Sequence, residues 1–176
     1  EEEAVVIGLE QRRLDLEGAW RFGQGAVKGV KARFGVADYR HTELEGEEVG
    51  TRFTNQQWEG RLELTHSLLA SLSGAAGLQV MGREFAARGE EAFVPPSHGL
   101  TVAGFLYQEI DRGPMRFQVG ARAEGQRMAR DVGGIDRDHV GLSVSAGMNW
   151  SLPHGLGLAL SAGRSVKLPT LEELFS

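Results

Sequence analysis

The sequence has no cysteine, only five prolines among 176 residues, and aromatic side chains at 7%. Without cysteine, a disulfide framework and a Cys-based metal site or nucleophile are excluded. No stretch stays apolar for the roughly 18 residues that a transmembrane helix needs. Membrane-spanning strands remain open, because their signal is a period-two alternation and not a long apolar run.

An excess of positive charge is also missing. Lys and Arg number 19 against 24 for Asp and Glu, which gives a formal net charge of -5. A chain without a basic stripe cannot neutralise phosphates, so we predict no nucleic-acid partner. The sequence contains neither a G-x-S-x-G elbow nor closely spaced metal ligands, and we therefore predict that it is not an enzyme and carries no cofactor. It opens on three glutamates, so any secretory signal is expected to lie outside it.

Glycine, by contrast, is abundant, with 25 residues that fall largely within alternating segments. The clearest of these segments runs from His139 to Leu152, where Val140, Leu142 and Val144 begin an apolar parity that continues to Trp150. Such a period of two predicts a β-strand with one apolar and one small, polar face. It is longer than an ordinary globular strand and ends in an aromatic residue before a turn, as a membrane-spanning strand would.

Six further segments alternate in the same way. A seventh, 100–110, is apolar on both parities, so the sequence does not assign its two faces. We predict an all-β protein with eight strands, over 5–22, 30–41, 51–68, 72–85, 100–110, 115–124, 139–152 and 156–163.

The predicted connections alternate in length. Short turns are predicted near Gly23, Ser71, Gly113 and His154, and long loops over 43–50, 88–98 and 127–138. Antiparallel up-and-down barrels of bacterial outer membranes have this asymmetry, with short periplasmic turns and longer extracellular loops. A soluble sandwich has no reason to keep it.

Aromatic residues suggest two interfacial girdles. The set expected on the short-turn side is Trp20, Phe22, Phe117 and Trp150, and the set expected on the loop side is Tyr39, Phe53, Trp58, Phe85 and Tyr107.

The parity opposite the apolar one carries unlike charges, which suit a wide, wet lumen better than a small filled one. These residues are Arg13, Asp15, Glu17, Arg33, Arg61, Glu63, Arg116, Arg122 and Glu124. The loop phase also places both ends of the chain on the long-loop side, whereas a small complete barrel would have both on the short-turn side. We therefore expect about eight consecutive strands of a larger transmembrane barrel, with no plug domain among residues 1–176.

The last fourteen residues, from Gly163 to Ser176, read GRSVKLPTLEELFS. They resemble the barrel motif R-x-P-T-x-x-E-L-[FY] of TonB-dependent outer-membrane receptors. The positions that carry the motif are Arg164, Pro169, Thr170, Leu171, Glu172, Glu173, Leu174 and Phe175. Lys167-Leu168 stands where many relatives have an arginine and a small residue. Weaker similarity runs through 51–55, 61–66, 93–97, 103–109 and 120–124.

The resemblance implies a receptor of about 22 strands around an N-terminal plug, in the outer membrane of a Gram-negative bacterium. Such receptors take up a scarce nutrient, among them ferric siderophores, haem, cobalamin, zinc and some glycans. The TonB energy-coupling complex displaces the plug. Their partners are thus the lipid bilayer, the plug, that complex and an extracellular ligand. No plug or TonB-contact box is recognisable here, so these residues alone are not expected to transport.

Histidines and carboxylates at the loop ends are the candidate ligand-binding residues. They are His41, His98, Asp136, Asp138 and His139, with Asp131 nearby. A zinc- or haem-type receptor would use such side chains on its extracellular rim. The alternative is that they are solvated loop groups, since no two histidines have metal-ligand spacing. His66 and His154 are expected to be structural.

Two other classes stay open at this point. One is a small structural or adhesive outer-membrane barrel of eight strands, in which the first strand would pair with the last. The other is a soluble ligand-binding β-barrel with an apolar interior, which would need no detergent.

Overall fold

The computed structural model describes residues 5–45, 48–89, 92, 95–131 and 133–175. Eight strands dominate it, and a 3-10 turn (Pro153–Gly155) and a short helix α1 (Leu171–Phe175) follow the last two strands. The strands are β1 (Val5–Arg21), β2 (Val27–Glu45), β3 (Glu48–Leu69), β4 (Leu72–Gly89), β5 (Ser97–Arg112), β6 (Met115–Arg130), β7 (Ile135–Ser151) and β8 (Gly157–Arg164). Within these ranges, no helix is long and apolar enough to cross a lipid bilayer.

The strands form one antiparallel sheet in sequence order, from β1 to β8. Each strand pairs only with its neighbours in the chain, which confirms the predicted all-β, up-and-down arrangement of eight strands. Among the described residues β1 and β8 are not paired with each other, so the sheet is open at both edges. It is not the closed eight-stranded barrel of the first alternative.

The six strands from β2 to β7 are longer than predicted, and the predicted bounds of the long loops are correspondingly wrong. Only positions 46–47 separate β2 from β3, and only 131–134 separate β6 from β7, where loops over 43–50 and 127–138 were predicted. The third loop shrinks to 90–96. Main-chain hydrogen bonding continues past the point where apolar alternation fades, because a ladder requires paired backbones and not apolar side chains.

Register defines the two faces of the sheet. Directly opposed residues in antiparallel strands point to the same side. One row across the sheet reads Leu16, Phe34, Gly60, Val80, Val102, Gly125 and Val140. We call the side to which it belongs the apolar face.

The adjacent row points to the other side, the polar face. It reads Glu17, Arg33, Arg61, Gln79, Ala103, Glu124 and Gly141. All the charged residues predicted to line the lumen lie on this face. Register also assigns β5, which the sequence leaves ambiguous: Leu100, Val102 and Leu106 lie on the apolar face, and Phe105 lies on the polar face.

Few side chains are buried within this chain. The described hydrophobic residues that are buried are small or lie near the loop edge, namely Ala87, Ala103, Met128, Ala129 and Leu171. Large apolar side chains stay exposed across the apolar face, up to 83% for Val140. The sheet therefore does not close over a core of its own.

Only one of the two predicted aromatic sets lies together on the apolar face. Trp20, Phe117 and Trp150 lie on the apolar face toward the short turns, with Phe22 just beyond β1. On the loop side Trp58 alone of the named aromatics lies on the apolar face. The other four aromatics predicted for the loop side lie on the polar face, namely Tyr39, Phe53, Phe85 and Tyr107. Tyr107 is moreover near the turn end of β5 and not near the loop end.

Candidate functional site

Ion pairs organise the polar face beside the β1 edge. Glu17 accepts hydrogen bonds from Arg33 at 2.7 Å and from Lys31 at 2.9 Å. Both cations come from β2, so a single carboxylate holds two of its neighbours in place. The Glu17 and Arg33 side chains remain about half exposed and that of Lys31 about a third, so these charges are accessible to water at this edge.

A polar chain crosses the middle of the same face. Gln79 donates to Glu59 at 2.7 Å, and Arg122 donates to the Gln79 side-chain oxygen at 2.9 Å. Arg122 also binds Glu124 at 2.9 Å. To reach β4 from β6, Arg122 extends over β5, where the small Ala103 is 2% exposed. This row of hydrogen-bonded side chains therefore links β3 to β6.

An aromatic ring is enclosed at the centre of this face. The Phe105 ring lies over Gly77 and has the Arg61 guanidinium 4.2 Å from its centroid. A Cβ on Gly77 would be 2.4 Å from that ring, so the glycine provides its seat. The Arg61 side chain then turns to Glu63, to which it donates at 3.0 Å.

The turn end of the polar face carries a second network. Glu109 accepts from Tyr107 and from Gln118, each at 3.0 Å. Arg116 donates to Asp111 at 2.8 Å and lies 3.3 Å from Glu109. This cluster ties the β5–β6 hairpin together close to its turn.

Residues 165–175, which we call the strap, leave the sheet after β8 and cross the polar face. The backbone N–H of Val166 donates to the Ser143 hydroxyl at 3.0 Å. At the far end Leu171 is fully buried against Met128, with Phe85 and Leu174 packed beside it. The strap thus carries most of the terminal motif onto the polar face.

A reciprocal cap starts α1 within the strap. Glu173 accepts from the Thr170 backbone N–H at 2.8 Å, and the Glu173 N–H donates to the Thr170 hydroxyl at 3.3 Å. Lys167 donates to Glu173 at 2.9 Å. The Lys167 hydrogen bond, followed by the Thr170 backbone bond, lowers the pKa of Glu173 below its usual value.

Motif residue Arg164 is placed differently from the strap. It is the last residue of β8 and lies opposite Val144, on the apolar face. The side chains of Glu172 and Phe175 lie outside the described set. Beneath the strap a cavity of about 450 Å³ opens between Ser165–Thr170 and polar-face residues that include Thr101, Arg122 and Gln126.

The predicted ligand residue His41 has partners on its own and the next strand. Its Nδ1 lies 3.1 Å from the Tyr39 hydroxyl, and its Nε2 lies 3.3 Å from Glu43. The ring stacks on Phe53 with centroids 4.3 Å apart. His41 therefore belongs to an aromatic cluster on the polar face, near the loop edge.

The other predicted ligands divide between the two faces. His98 contacts Asp131 at 2.9 Å on the apolar face, where Asp136 pairs with Arg127. Asp138 lies opposite Arg127 in register on that face.

His139, by contrast, points to the polar face opposite Gln126. Five strand spacings separate it from His41, which is about 24 Å measured across the sheet, and the two residues also lie in different register rows. The structure does not bring these residues together, and no described group of three or more His, Cys, Asp or Glu side chains is arranged to hold a metal.

The two remaining histidines have local roles. His66 is 9% exposed, and its Nε2 accepts a hydrogen bond of 3.0 Å from the side-chain amide of Gln108, which reaches across β4. His154 has a φ of 62° in the turn between β7 and β8.

Two polar-face residues were missed by sequence reasoning. Gln79 is uncharged and Phe105 is apolar, so neither stood out beside the charged parity. Strand register is the signal that identifies them, because it places Gln79 opposite Arg61 and Phe105 opposite Arg122.

No family model matches the sequence. Function must therefore be argued from the two faces of the sheet and from the strap.

Proposed function

We propose that this chain is part of the wall of a larger outer-membrane barrel, a TonB-dependent receptor that takes up a scarce nutrient. The nutrient class is a metal ion, haem or a ferric siderophore. The observation that carries the proposal is the open sheet itself, with an exposed apolar face backed by a charged, hydrogen-bonded polar face.

A sharp polar border on the apolar face supports contact with lipid. On the loop side one row consists of polar residues: Arg12, Asp38, Gln56, Glu84 and His98. The next row reads Leu14, Val36, Trp58, Gly82 and Leu100 in β1 to β5, and it continues into Arg127 and Asp138 in β6 and β7. The border therefore lies closer to the turns in β6 and β7. An aqueous surface has no need of such a line, whereas the edge of a hydrocarbon layer produces one.

The opposite border is oblique to the rows, as tilted strands require. The row of Trp20 reaches β7 at Val144, and Trp150 lies six residues further toward the turn. Six residues correspond to about 20 Å along the strands, and the six strand spacings between β1 and β7 correspond to about 29 Å across them. A line that joins the two tryptophans is therefore inclined by about 35° to the register rows. Strands of outer-membrane barrels tilt by about 35–45°. The two tryptophans thus fit one interfacial plane.

Strand length supports a barrel that projects from the membrane. A tilted spanning strand needs about 9–11 residues, whereas β3 has 22 and β2 has 19. Most of the excess lies above the polar border, on the loop side. In such a barrel the two sides of the membrane would differ in the length of the strand extensions and not in the length of the loops.

Open edges support further strands on either side. β1 has 17 residues, and the backbone groups that alternate residues direct to its outer edge lack a strand partner in the described chain. Unpaired backbone groups cost several kcal/mol each in a hydrocarbon layer. Neighbouring strands of a larger barrel would satisfy them, and the charged polar face would then line a wet lumen.

Uptake measurements on the full-length protein test the proposal. A strain lacking the gene is compared with the complemented strain for accumulation of labelled zinc, haem and ferric siderophores. We expect one of these to require both the gene and a functional TonB complex. Equal accumulation of every substrate with and without the gene would reject the proposed function.

A further inference from the structure

The alternation of β8 continues beyond the point where β8 ends. After Ala162 and Arg164 the same parity reads Val166 and Leu168, while Ser165 and Lys167 keep the opposite, polar one. Pro169, which cannot donate to a ladder, is the first residue to break the pattern. The sequence is thus suited to a strand as far as Leu168.

The edge that such a strand would occupy is open. β8 pairs with β7 only from Val144 to Ser151. Along the rest of β7, from Ile135 to Ser143, the described residues provide no strand on that side. Val140, on this free half, is 83% exposed.

The strap instead folds onto the polar face, and its contacts there are specific. The N–H of Val166 uses the Ser143 side chain in place of a backbone carbonyl. Leu168 lies over Gly141, so that a Cβ built on that glycine would be 3.2 Å from the leucine. Leu171 is fully buried in its pocket against Met128.

We propose that the strap has two positions, and that Ser165–Leu168 exchange between this folded-in position and an extension of β8 along β7. Continuing the register that opposes Val144 and Arg164 places Leu142 opposite Val166 and Val140 opposite Leu168. Val166 and Leu168 then join the apolar face, and Ser165 and Lys167 stay on the polar face. The extension gains ladder hydrogen bonds and covers Val140, and it gives up the burial of Leu171.

The exchange controls access to the cavity beneath the strap. Extension lifts Ser165–Leu168 away from Thr101, Arg122 and Gln126, which line that cavity. It withdraws Leu171 from Met128 as well, because the chain between Leu168 and Leu171 is short. This inference needs the free edge of β7 and not the transport assignment, so either can fail without the other.

Engineered cysteine pairs distinguish the two positions, since this chain has no cysteine of its own. The pair Gly141→Cys and Leu168→Cys reports the folded-in strap. The pair Val140→Cys and Leu168→Cys reports the extension, because residues 140 and 141 point to opposite faces of β7. Disulfide yield is measured with a membrane-permeant oxidant in the full-length protein in its membrane, with any cysteine elsewhere replaced by serine.

Two substitutions are designed to favour the extension of β8, and one further cysteine pair is a control for disulfide formation. Gly141→Val occupies the place of Leu168, and Leu171→Ser weakens the docked end without touching the ladder. Each should raise the yield of the 140–168 disulfide several-fold. The pair Ala146→Cys and Ala162→Cys, which are permanent partners in β7 and β8, should close in every background.

The proposal is overturned if the 140–168 pair stays at the level of the single-cysteine variants while the 146–162 pair closes. It is equally overturned if the 140–168 pair closes to the same extent with and without the two substitutions.

Discussion

Leu78 and Leu9 are leucines of equal exposure, 60% and 62%, in different surroundings. Leu78 lies in the middle of the apolar face between Leu62 and Gly104. Leu9 lies opposite His41 on the polar face, near the loop edge. If the apolar face contacts lipid, the two positions differ in their tolerance of charge.

We expect Leu78→Arg to lower the free energy of unfolding by about 2–4 kcal/mol, as arginine does near the midplane of a bilayer. Leu9→Arg should change it by less than about 0.5 kcal/mol, because that side chain is in water. Denaturant unfolding of the full-length protein in lipid vesicles, followed by tryptophan fluorescence, measures both. Equal and small costs would place the apolar face in water.

At the scale of the strands, packing across the ladder joins β3, β4 and β5. Phe105 from β5 lies over Gly77 of β4, and Arg61 of β3 covers the ring. A glycine in a strand normally weakens it, but here it makes room for a ring that two strands share. The absence of a side chain at Gly77 is therefore part of the packing between these strands.

We expect Gly77→Ala to destabilise the protein by about 1–3 kcal/mol, because the new methyl group overlaps both the Phe105 ring and the backbone oxygen of Leu62. Gly60→Ala is the matched control, with nothing within 4 Å of its Cβ. That change should stabilise the strand by about 0.5–1 kcal/mol, the usual cost of glycine in a strand. Unfolding in denaturant compares the two, and effects of the same sign would contradict this role for Gly77.

Prediction from sequence succeeded where side-chain parity alone decides the structure. Alternation set the faces of seven strands, because a period of two is a local property. It failed in β5, where Ala103 and Phe105 are apolar yet lie on the polar face, and only their partners Gln79 and Gly77 show why. The loop-side ends of β2 to β7 were predicted too short for a similar reason, since pairing between polar segments leaves no mark in the hydrophobic pattern.

The candidate site was less predictable than the fold. His41, His98 and His139 do lie toward the loop ends of their strands, but they point to different faces or lie on distant strands. Their separation depends on register across the sheet, which no single strand encodes. The folded-in strap was not predicted either, because Leu171 is fixed by Met128, more than forty positions earlier in the chain.

At the scale of the whole molecule, the described residues form a sheet with two exposed faces and two open edges. The apolar face exposes large hydrophobic side chains, and the edges carry unpaired backbone groups. We expect residues 1–176, produced alone, to sediment as aggregates in buffer and to stay dispersed only in detergent. Analytical ultracentrifugation with and without detergent tests this. A monodisperse monomer in plain buffer would favour the soluble β-barrel alternative.

The neighbour-to-neighbour order of the strands has a consequence for how such a wall grows. Because every pairing joins strands adjacent in the chain, a hairpin is a self-contained unit of construction. Adding or deleting one leaves the connections of all others unchanged and alters the width of the wall by about 10 Å. Gene duplication of hairpins is thus a simple route between barrels of different circumference, and short sequence separation between partners lets the chain zip up from any turn.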